Sequence, residues 1–327
     1  RTQNTETNRS NQKSGIQHPQ LEYGFTIAKY DNKRELVIDP LLASTYLGGF
    51  ESDYGNSIAI DSGKNVFVAG YTKSSDFPTT AGTLDNSYSN GDIFVSKLSA
   101  DLTRLLASTY LGGSSDDYVR SLVIDSSKNI YMAGQTSSSD FPTTVNTCDT
   151  SKNGFSDGFF FFLCSDLTHL LSSSFLGGSS DDSVHSVTVD PSGIILCVTG
   201  RTLSADFPVT PRAYDTRYKN GDVFVSKLTW NLTRILASTF LGGTNNDFGN
   251  SIAIDSNRNI FVGGDTWSSD FPVSDNAYDS SFNGGFGDVF VSKLNWDLTQ
   301  VLASTYLGGA TDDSAHSIAI DPRGNIY

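Results

Sequence analysis

Residues 106–113 read Leu-Ala-Ser-Thr-Tyr-Leu-Gly-Gly, and close relatives of this octapeptide recur through the 327-residue chain. Its Leu-Gly-Gly part starts at residues 47, 111, 176, 241 and 307, in steps of 64, 65, 65 and 66. A second motif, Asp-Phe-Pro, starts at residues 76, 140, 206 and 270. Two motifs that share one period indicate a tandem array of one supersecondary unit, so the repeat decides the fold.

One repeat contains four strand-like runs and no amphipathic helical window. The runs at residues 57–61 and 65–72 are joined by a short Asp/Gly/Asn turn, which predicts a hairpin. A long loop at residues 73–91 carries the Asp-Phe-Pro motif, and runs at 92–98 and 104–111 follow it. Each period of about 65 residues therefore predicts an antiparallel meander of four short strands.

The apolar residues in these runs indicate that both faces of each sheet are covered. Val66–Ala69 and Ile93–Val95 are apolar at successive positions instead of at every second one. A ring of four-stranded antiparallel blades packed face to face provides this cover, so the prediction is an all-β protein, a β-propeller. A parallel β-helix is the alternative, but its coils are shorter and lack the long loop.

The repeats divide the chain into three predicted parts. Residues 1–21 are a loose polar segment, residues 22–40 are the end of a preceding β domain or a linker, and residues 41–327 are propeller repeats. We predict complete blades at about 57–111, 121–176, 186–241 and 251–307, and a partial blade from 41–47 and 317–327. We therefore expect the ring to be incomplete and the chain to be a piece of a longer protein.

The composition restricts the classes of partner. The formal net charge is -14, with 36 acidic against 22 basic side chains, which disfavours nucleic acid as a partner. No membrane-spanning segment is visible in the sequence. Cys148, Cys164 and Cys197 fall at different repeat positions without Cys-x-x-Cys spacing, so small packed thiols are favoured over a metal or redox site.

One row of aspartates is the candidate metal site. The loop after Gly-Gly carries an aspartate at one aligned position in every repeat: Asp53, Asp117, Asp182, Asp247 and Asp313. Carboxylates are ligands that Ca²⁺ prefers, so these five residues are calcium candidates. The competing interpretation is favoured, because every repeat must form the same tight turn and Asp accepts backbone hydrogen bonds in such turns.

Other recurring residues have structural and functional interpretations. We expect structural roles for the aspartates that open the hairpin turn and for those of Asp-Phe-Pro, with the phenylalanine wedged between blades. His185 and His316 share an aligned position that holds Asn56, Arg120 and Asn250 elsewhere. Such a variable position faces either a ligand or water, and water is favoured. Tyr71 and Trp267 lie near the mouth of the long loop, where exposed rings could stack on sugars, although packing is commoner.

The repeated strings resemble a known family. Leu-Ala-Ser-Thr-Tyr-Leu-Gly-Gly, Asp-Asp-Tyr, Ser-Ile-Ala-Ile-Asp and Gly-Tyr-Thr-Lys-Ser-Ser-Asp-Phe-Pro-Thr-Thr resemble the bacterial SBBP β-propeller repeat over residues 39–327. The resemblance implies a large extracellular or envelope-associated bacterial protein, from a family described as seven-bladed. It implies no established activity and transfers no catalytic residue. Residues 30–40 look like the end of the domain that often precedes these repeats.

From these observations we expect a non-enzymatic, secreted or surface scaffold. It would bind a protein, glycan or matrix partner through the blade loops, because rigid sheets present variable loops on a fixed platform. The first alternative is a cation-dependent hydrolase or lyase, although equivalent acidic positions do not give the one asymmetric constellation that catalysis needs. The second alternative is an architectural spacer in a large surface protein.

Overall fold

A computed structural model describes residues 43–327, and the predictions for residues 1–42 lie outside the described residues. Sixteen strands form four separate four-stranded antiparallel sheets, each in sequential order. The first two blades contain β1 (Asp53–Ile60), β2 (Val66–Thr72), β3 (Asp92–Leu98), β4 (Leu105–Leu111), β5 (Asp117–Ile124), β6 (Ile130–Thr136), β7 (Asp157–Leu163) and β8 (Leu170–Leu176). The other two contain β9 (Asp182–Val189), β10 (Ile195–Thr202), β11 (Asp222–Thr229), β12 (Ile235–Leu241), β13 (Asp247–Ile254), β14 (Ile260–Thr266), β15 (Asp288–Leu294) and β16 (Val301–Leu307).

The four sheets are blades of a β-propeller, as predicted, and they form an open arc and not a closed ring. Each hydrophobic cluster between sheets mixes side chains from two neighbouring blades, for example Val95 of β3 with Met132 of β6. The strands are buried on both faces, which is why their sequences do not alternate. The four phenylalanines of β7, Phe159–Phe162, are all buried.

The first strand of each blade starts four residues before the predicted start. The reason is a β-bulge, at which the ladder skips one residue and then continues to the aspartate that follows the Gly-Gly turn. Residues 41 and 42 of the predicted partial blade lie outside the described residues. Among the described residues, 43–47 pair with no strand, and 317–327 make only the bridge Ile320–Ile326.

Hydrogen bonds that recur from repeat to repeat join each blade to the next. The serine after each bulge accepts the backbone N–H of the next blade's first strand, with N to Oγ distances between 2.9 and 3.3 Å. The pairs are Ser57 with Leu122, Ser121 with Val187, Ser186 with Ile252, and Ser251 with Ile318. The last pair fixes residue 318 against the fourth blade where a fifth first strand would begin.

The long loop of each blade is ordered along the outermost strand. In the first blade Tyr110 N donates to Asp85 O at 3.0 Å, and Leu84 N donates to Leu167 O of the next blade at 2.8 Å. Two later loops repeat the second contact, from Cys148 to Leu232 and from Tyr214 to Leu298. The loop therefore covers an edge strand and ties two blades together, which protects backbone groups that would otherwise be open to pairing.

Candidate functional site

The five calcium candidates lie at the Gly-Gly turns, each bonded within its own repeat. The Oδ2 atom of each accepts the N–H of the second glycine, at 2.6 to 2.8 Å. In the complete blades a serine two residues after the second strand also donates to this carboxylate, as Ser204 does to Asp182 at 2.7 Å. Asp117, Asp182 and Asp247 are almost fully buried. These bonds favour the turn role, and calcium binding at these residues stays a prediction.

A second row of aspartates lies beside the first. Asp92, Asp157, Asp222 and Asp288 begin the third strands and are buried. The Oδ1 atoms of Asp92, Asp222 and Asp288 have no hydrogen-bond partner in the described part of the chain. Asp92 Oδ1 and Asp117 Oδ2 would each lie 2.6 Å from a Cβ built on Gly112. Only glycine therefore fits between the paired carboxylates.

Burial raises the proton affinity of carboxyls in both rows. Burial, reinforced by the neighbouring carboxylates, raises the pKa of Asp92 to about 6 and the pKa of Asp222 to about 7. Burial likewise raises the pKa of Asp117, Asp182 and Asp247 to about 6, although hydrogen bonds from threonine, glycine and serine oppose the shift. The pKa values of these buried carboxyls therefore lie close to neutral pH.

The remaining aspartate rows are structural. Asp61 accepts the backbone N–H of Asn65 at 2.8 Å and its amide at 2.9 Å, which closes the hairpin turn. Asp140 of Asp-Phe-Pro accepts the Ser114 N–H at 2.8 Å, so it holds the loop between blades. Phe141 packs on Phe161 with ring centroids 4.8 Å apart, inside the cluster shared with the preceding blade. These positions agree with the roles that the sequence suggests.

A cavity lies where the first strands of the second, third and fourth blades meet. Its volume is about 1000 Å³, and it is open to solvent on one side. Its wall includes the bulge residues Arg120, His185 and Asn250, together with His316, which occupies the same repeat position. The ends of the second strands contribute Gln135 and Arg201, and Tyr118 and Phe248 add aromatic faces.

The bulge explains why these side chains reach the cavity. An extra residue in the first strand has no partner in the ladder, so its side chain can point away from the sheet. Asn56 donates to Val119 O of the next blade at 2.8 Å, and Asn250 donates to Ala315 O at 2.9 Å. Burial and the charge of Arg120 lower the pKa of His185 to about 4, so its imidazole is neutral at pH 7.

A second set of links crosses from blade to blade around the cavity. Residues 71, 135, 201 and 265 are equivalent in the repeat but read Tyr, Gln, Arg and Asp. Tyr71 Oη donates to Asp116 at 2.6 Å, Ser183 donates to Gln135 at 2.7 Å, and Arg201 donates to Asn246. Asp265 accepts from Ser314 at 3.0 Å. Different residues form the hydrogen bond at this junction in each blade, so the side chains on the cavity wall differ from blade to blade.

The wall carries three cationic side chains beside three aspartates, namely Arg120, Lys152, Arg201, Asp116, Asp181 and Asp182. The exposed guanidinium of Arg120 makes no hydrogen bond or ion pair with any residue from 43 to 327. The Nε atom of Arg201 is buried without a partner among those residues, its guanidinium stacks 4.6 Å from the ring centre of Phe248, and burial lowers its pKa. The carboxylate of Asp116, by contrast, is engaged by Tyr71.

The sequence points to part of this site. The variable position of His185 and His316 is at the cavity, and so are its counterparts Arg120 and Asn250. Tyr71 is buried and stacks on Tyr118 at 4.3 Å, whereas Trp267 stays 43 % exposed beside Phe248. Gln135 and Arg201 were missed, although the variation at their repeat position was a usable signal. The four histidines and the glycine motifs form no nucleotide or catalytic pattern in the sequence.

Comparisons with known proteins find a match to the repeats. The profile described as SBBP, a β-propeller repeat, matches residues 44–78, 108–142, 238–272 and 304–327. The chain is 24% identical over 315 residues to the regulatory protein FlaEY of Caulobacter vibrioides, covering 91% of this chain and 32% of the relative. The chain therefore spans about a third of the length of that curated relative.

Two solved structures are also similar. The Dos1 propeller is 10% identical with a TM-score of 0.38, over 83% of this chain and 63% of that one. BamB from Moraxella catarrhalis is 13% identical with a TM-score of 0.23, over 84% of this chain and 95% of that one. No helix in residues 43–327 is long and apolar enough to cross a membrane. The repeat matches and the four stacked sheets agree: the chain contains β-propeller repeats that match the SBBP profile at four regions.

Proposed function

We propose that this chain is a non-enzymatic binding propeller whose ligand site is the cavity lined by the bulge residues. The observation that carries the proposal is where the repeats vary. Positions fixed in every repeat form the turns, whereas the positions of Arg120 and Gln135 vary and converge on one cavity of about 1000 Å³. A cavity of this size, lined mainly by polar side chains on a rigid frame, is suited to hold a polar ligand.

The chemistry of the wall favours an anionic, hydroxyl-rich ligand. Arg120 offers an unengaged guanidinium, and a planar fork of donors suits a carboxylate. The amide of Gln135 and the ring of Phe248 supply a hydrogen-bonding group and a flat apolar face of the kind that sugar rings use. We therefore assign an acidic glycan, one that carries uronic acid groups, as the ligand class.

The long loops contribute to this site only at their ends. Asn90 closes the first long loop, and Lys152, Phe155 and Ser156 close the second, and all four line the cavity. The middle of each loop is bonded to its outer strand, and in the first three blades also to the next blade. The proposed binding surface is thus the wall of this cavity, and an extracellular or envelope location, where acidic glycans occur, is part of the same proposal.

Calorimetric titration with oligogalacturonate tests the proposal, with its methyl-esterified form as the uncharged control. We expect binding of the acidic form, at least tenfold weaker binding in Arg120→Gln, and unchanged binding in Arg104→Gln, the same change on an exposed turn. Equal binding by Arg120→Gln would move the site elsewhere. Release of shorter sugars during the titration would favour the hydrolase or lyase, and no binding of either form would favour the spacer.

A further inference from the structure

The turn between β7 and β8 gathers three different metal-ligating side chains. The ligand atoms of Cys164, Asp166 and His169 all lie within 4.8 Å of one another. Cys164 Sγ donates to Asp166 Oδ1 at 2.7 Å, and Thr168 Oγ1 lies 2.6 Å from His169 Nδ1. Asp166 and His169 are exposed and Cys164 is half-buried, so an ion can reach the group from solvent.

The equivalent turn of the first blade shows that this shape does not require a thiol or an imidazole. There Ser99 Oγ donates to Asp101 Oδ1 at 2.5 Å, and Thr103 donates to the same oxygen at 2.9 Å. Cys164 and His169 stand where that turn has Ser99 and Arg104. The third blade has Thr229, Asn231 and Arg234 at these places, and the fourth has Asn295, Asp297 and Gln300. Only the second-blade turn, within residues 43–327, holds a ligand at all three places.

The backbone of this turn is fixed before any ion binds. Leu167 at its apex is fully buried and adopts a φ of 60°. The leucines at the apex of the other three turns have φ from 54 to 58°. Cys164 N donates to His169 O at 3.3 Å, and His169 N donates to Cys164 Sγ at 3.1 Å. A turn held in this way loses little conformational freedom when its side chains close on an ion.

We propose that Cys164, Asp166 and His169 bind one zinc ion. Zinc accepts thiolate, imidazole and carboxylate ligands in a tetrahedral arrangement, and three protein ligands leave a fourth position for water or for a group from another molecule. Binding replaces the proton of the Cys164 thiol by the metal, so one proton is released and uptake weakens as pH falls. Thr168, which donates to Asp166 at 2.8 Å, holds two of the ligands in place.

Titration of the whole chain with Zn²⁺ alone, followed by calorimetry, tests the site. We expect one ion per chain and proton release that varies with the ionisation enthalpy of the buffer. Co²⁺ in place of Zn²⁺ should give a thiolate-to-metal absorption band. The matched variant is Cys164→Ser with His169→Arg, which recreates the first-blade turn and should therefore fold normally. Its affinity for Zn²⁺ should fall at least tenfold and the cobalt band should vanish.

Cys148→Ser is the control for the other thiols, because Cys148 lies in a long loop and Cys197 is fully buried. This variant should bind Zn²⁺ as the unmodified chain does. The proposal is overturned if the double variant, with an unchanged unfolding curve, binds Zn²⁺ as tightly as the unmodified chain. It is also overturned if Co²⁺ binds without the thiolate band. Zn²⁺ protection of Cys164 from alkylation gives an independent readout.

Discussion

In the first strand of each blade, one position is the same in every repeat and another position, three residues later, varies. The aspartate after the Gly-Gly turn is the same residue in all five repeats and accepts the same glycine N–H each time. The bulge position three residues later reads Asn, Arg, His, Asn and His. The aspartate is closed in by fixed donors, whereas the bulge side chain faces a cavity. A repeat therefore stays constant where neighbours fill the space and varies where they leave it open.

The largest expected effect on stability comes from a glycine beside the bulge. A Cβ added to Gly70 would overlap the carbonyl oxygen of Tyr54, whereas at Gly55, its cross-strand partner, it would meet only Val68 at 3.6 Å. We expect Gly70→Ala to lower the free energy of unfolding by about 3 kcal/mol. Gly55→Ala should be tolerated, as expected from Val119 at the equivalent place. Urea unfolding of both variants measures the difference, and equal losses would contradict this account of the bulge.

Removal of one aspartate that follows a Gly-Gly turn should lower the free energy of unfolding by a smaller amount. In Asp182→Ala, the Gly178 N–H and the Ser204 hydroxyl lose their acceptor inside a buried turn. We expect a loss of about 2 kcal/mol in the free energy of unfolding. Melts of the unmodified chain in excess EDTA and in millimolar Ca²⁺ should coincide if the row serves the turn alone. A clear rise with Ca²⁺ would instead support the calcium site, since a ligand that binds only the folded chain stabilises it.

The raised carboxyl pKa values predict a pH dependence. The folded-state pKa values of Asp92 and Asp222, about 6 and 7, lie above the unfolded value near 3.9. The folded chain therefore binds protons more tightly, and stability falls as pH rises through 6 to 7. We expect a higher melting temperature at pH 5 than at pH 8, with on the order of 1 kcal/mol from each carboxyl.

Asp222→Asn is the check on this assignment, because an amide of the same shape does not titrate. The variant should show a smaller difference in melting temperature between pH 5 and pH 8. A chain that is more stable at pH 8 than at pH 5 would show that the buried rows do not dominate. Aspartates with lowered pKa values, such as Asp140 and Asp206, lose their contribution only at still lower pH.

The smallest effect belongs to the cavity wall. Arg120 is exposed and bonded to no other described residue, so Arg120→Gln should change the free energy of unfolding by less than about 0.5 kcal/mol. The same variant is expected to lose oligogalacturonate binding. A large loss of stability in this variant would show that Arg120 supports the fold as the turn aspartates do. The distinction between the turn position and the bulge position would then not hold.

The periodic sequence predicted most of the fold and some of the site. The two motifs and the apolar runs were enough for the blade count and the strand order, which the four sheets confirm. The blade starts were placed four residues late, because a bulge leaves no local signal in a single repeat. Variation at the bulge position indicates residues at the cavity. Partner binding through the blade loops stays a prediction, and the middle of each loop also covers an outer strand.

The sequence by itself determined that this is a propeller. Two motifs share one period, each period contains four β-rich runs, and few folds can pack such an array. It also determined where the repeats agree and where they differ. Only the tertiary structure decided which of those differences meet. Arg120, His185 and Asn250 are about 65 residues apart along the chain, and stacking of the blades brings them to one cavity. Stacking also pairs the carboxylates of the two buried rows, since proximity between distant residues is a property of packing and not of spacing.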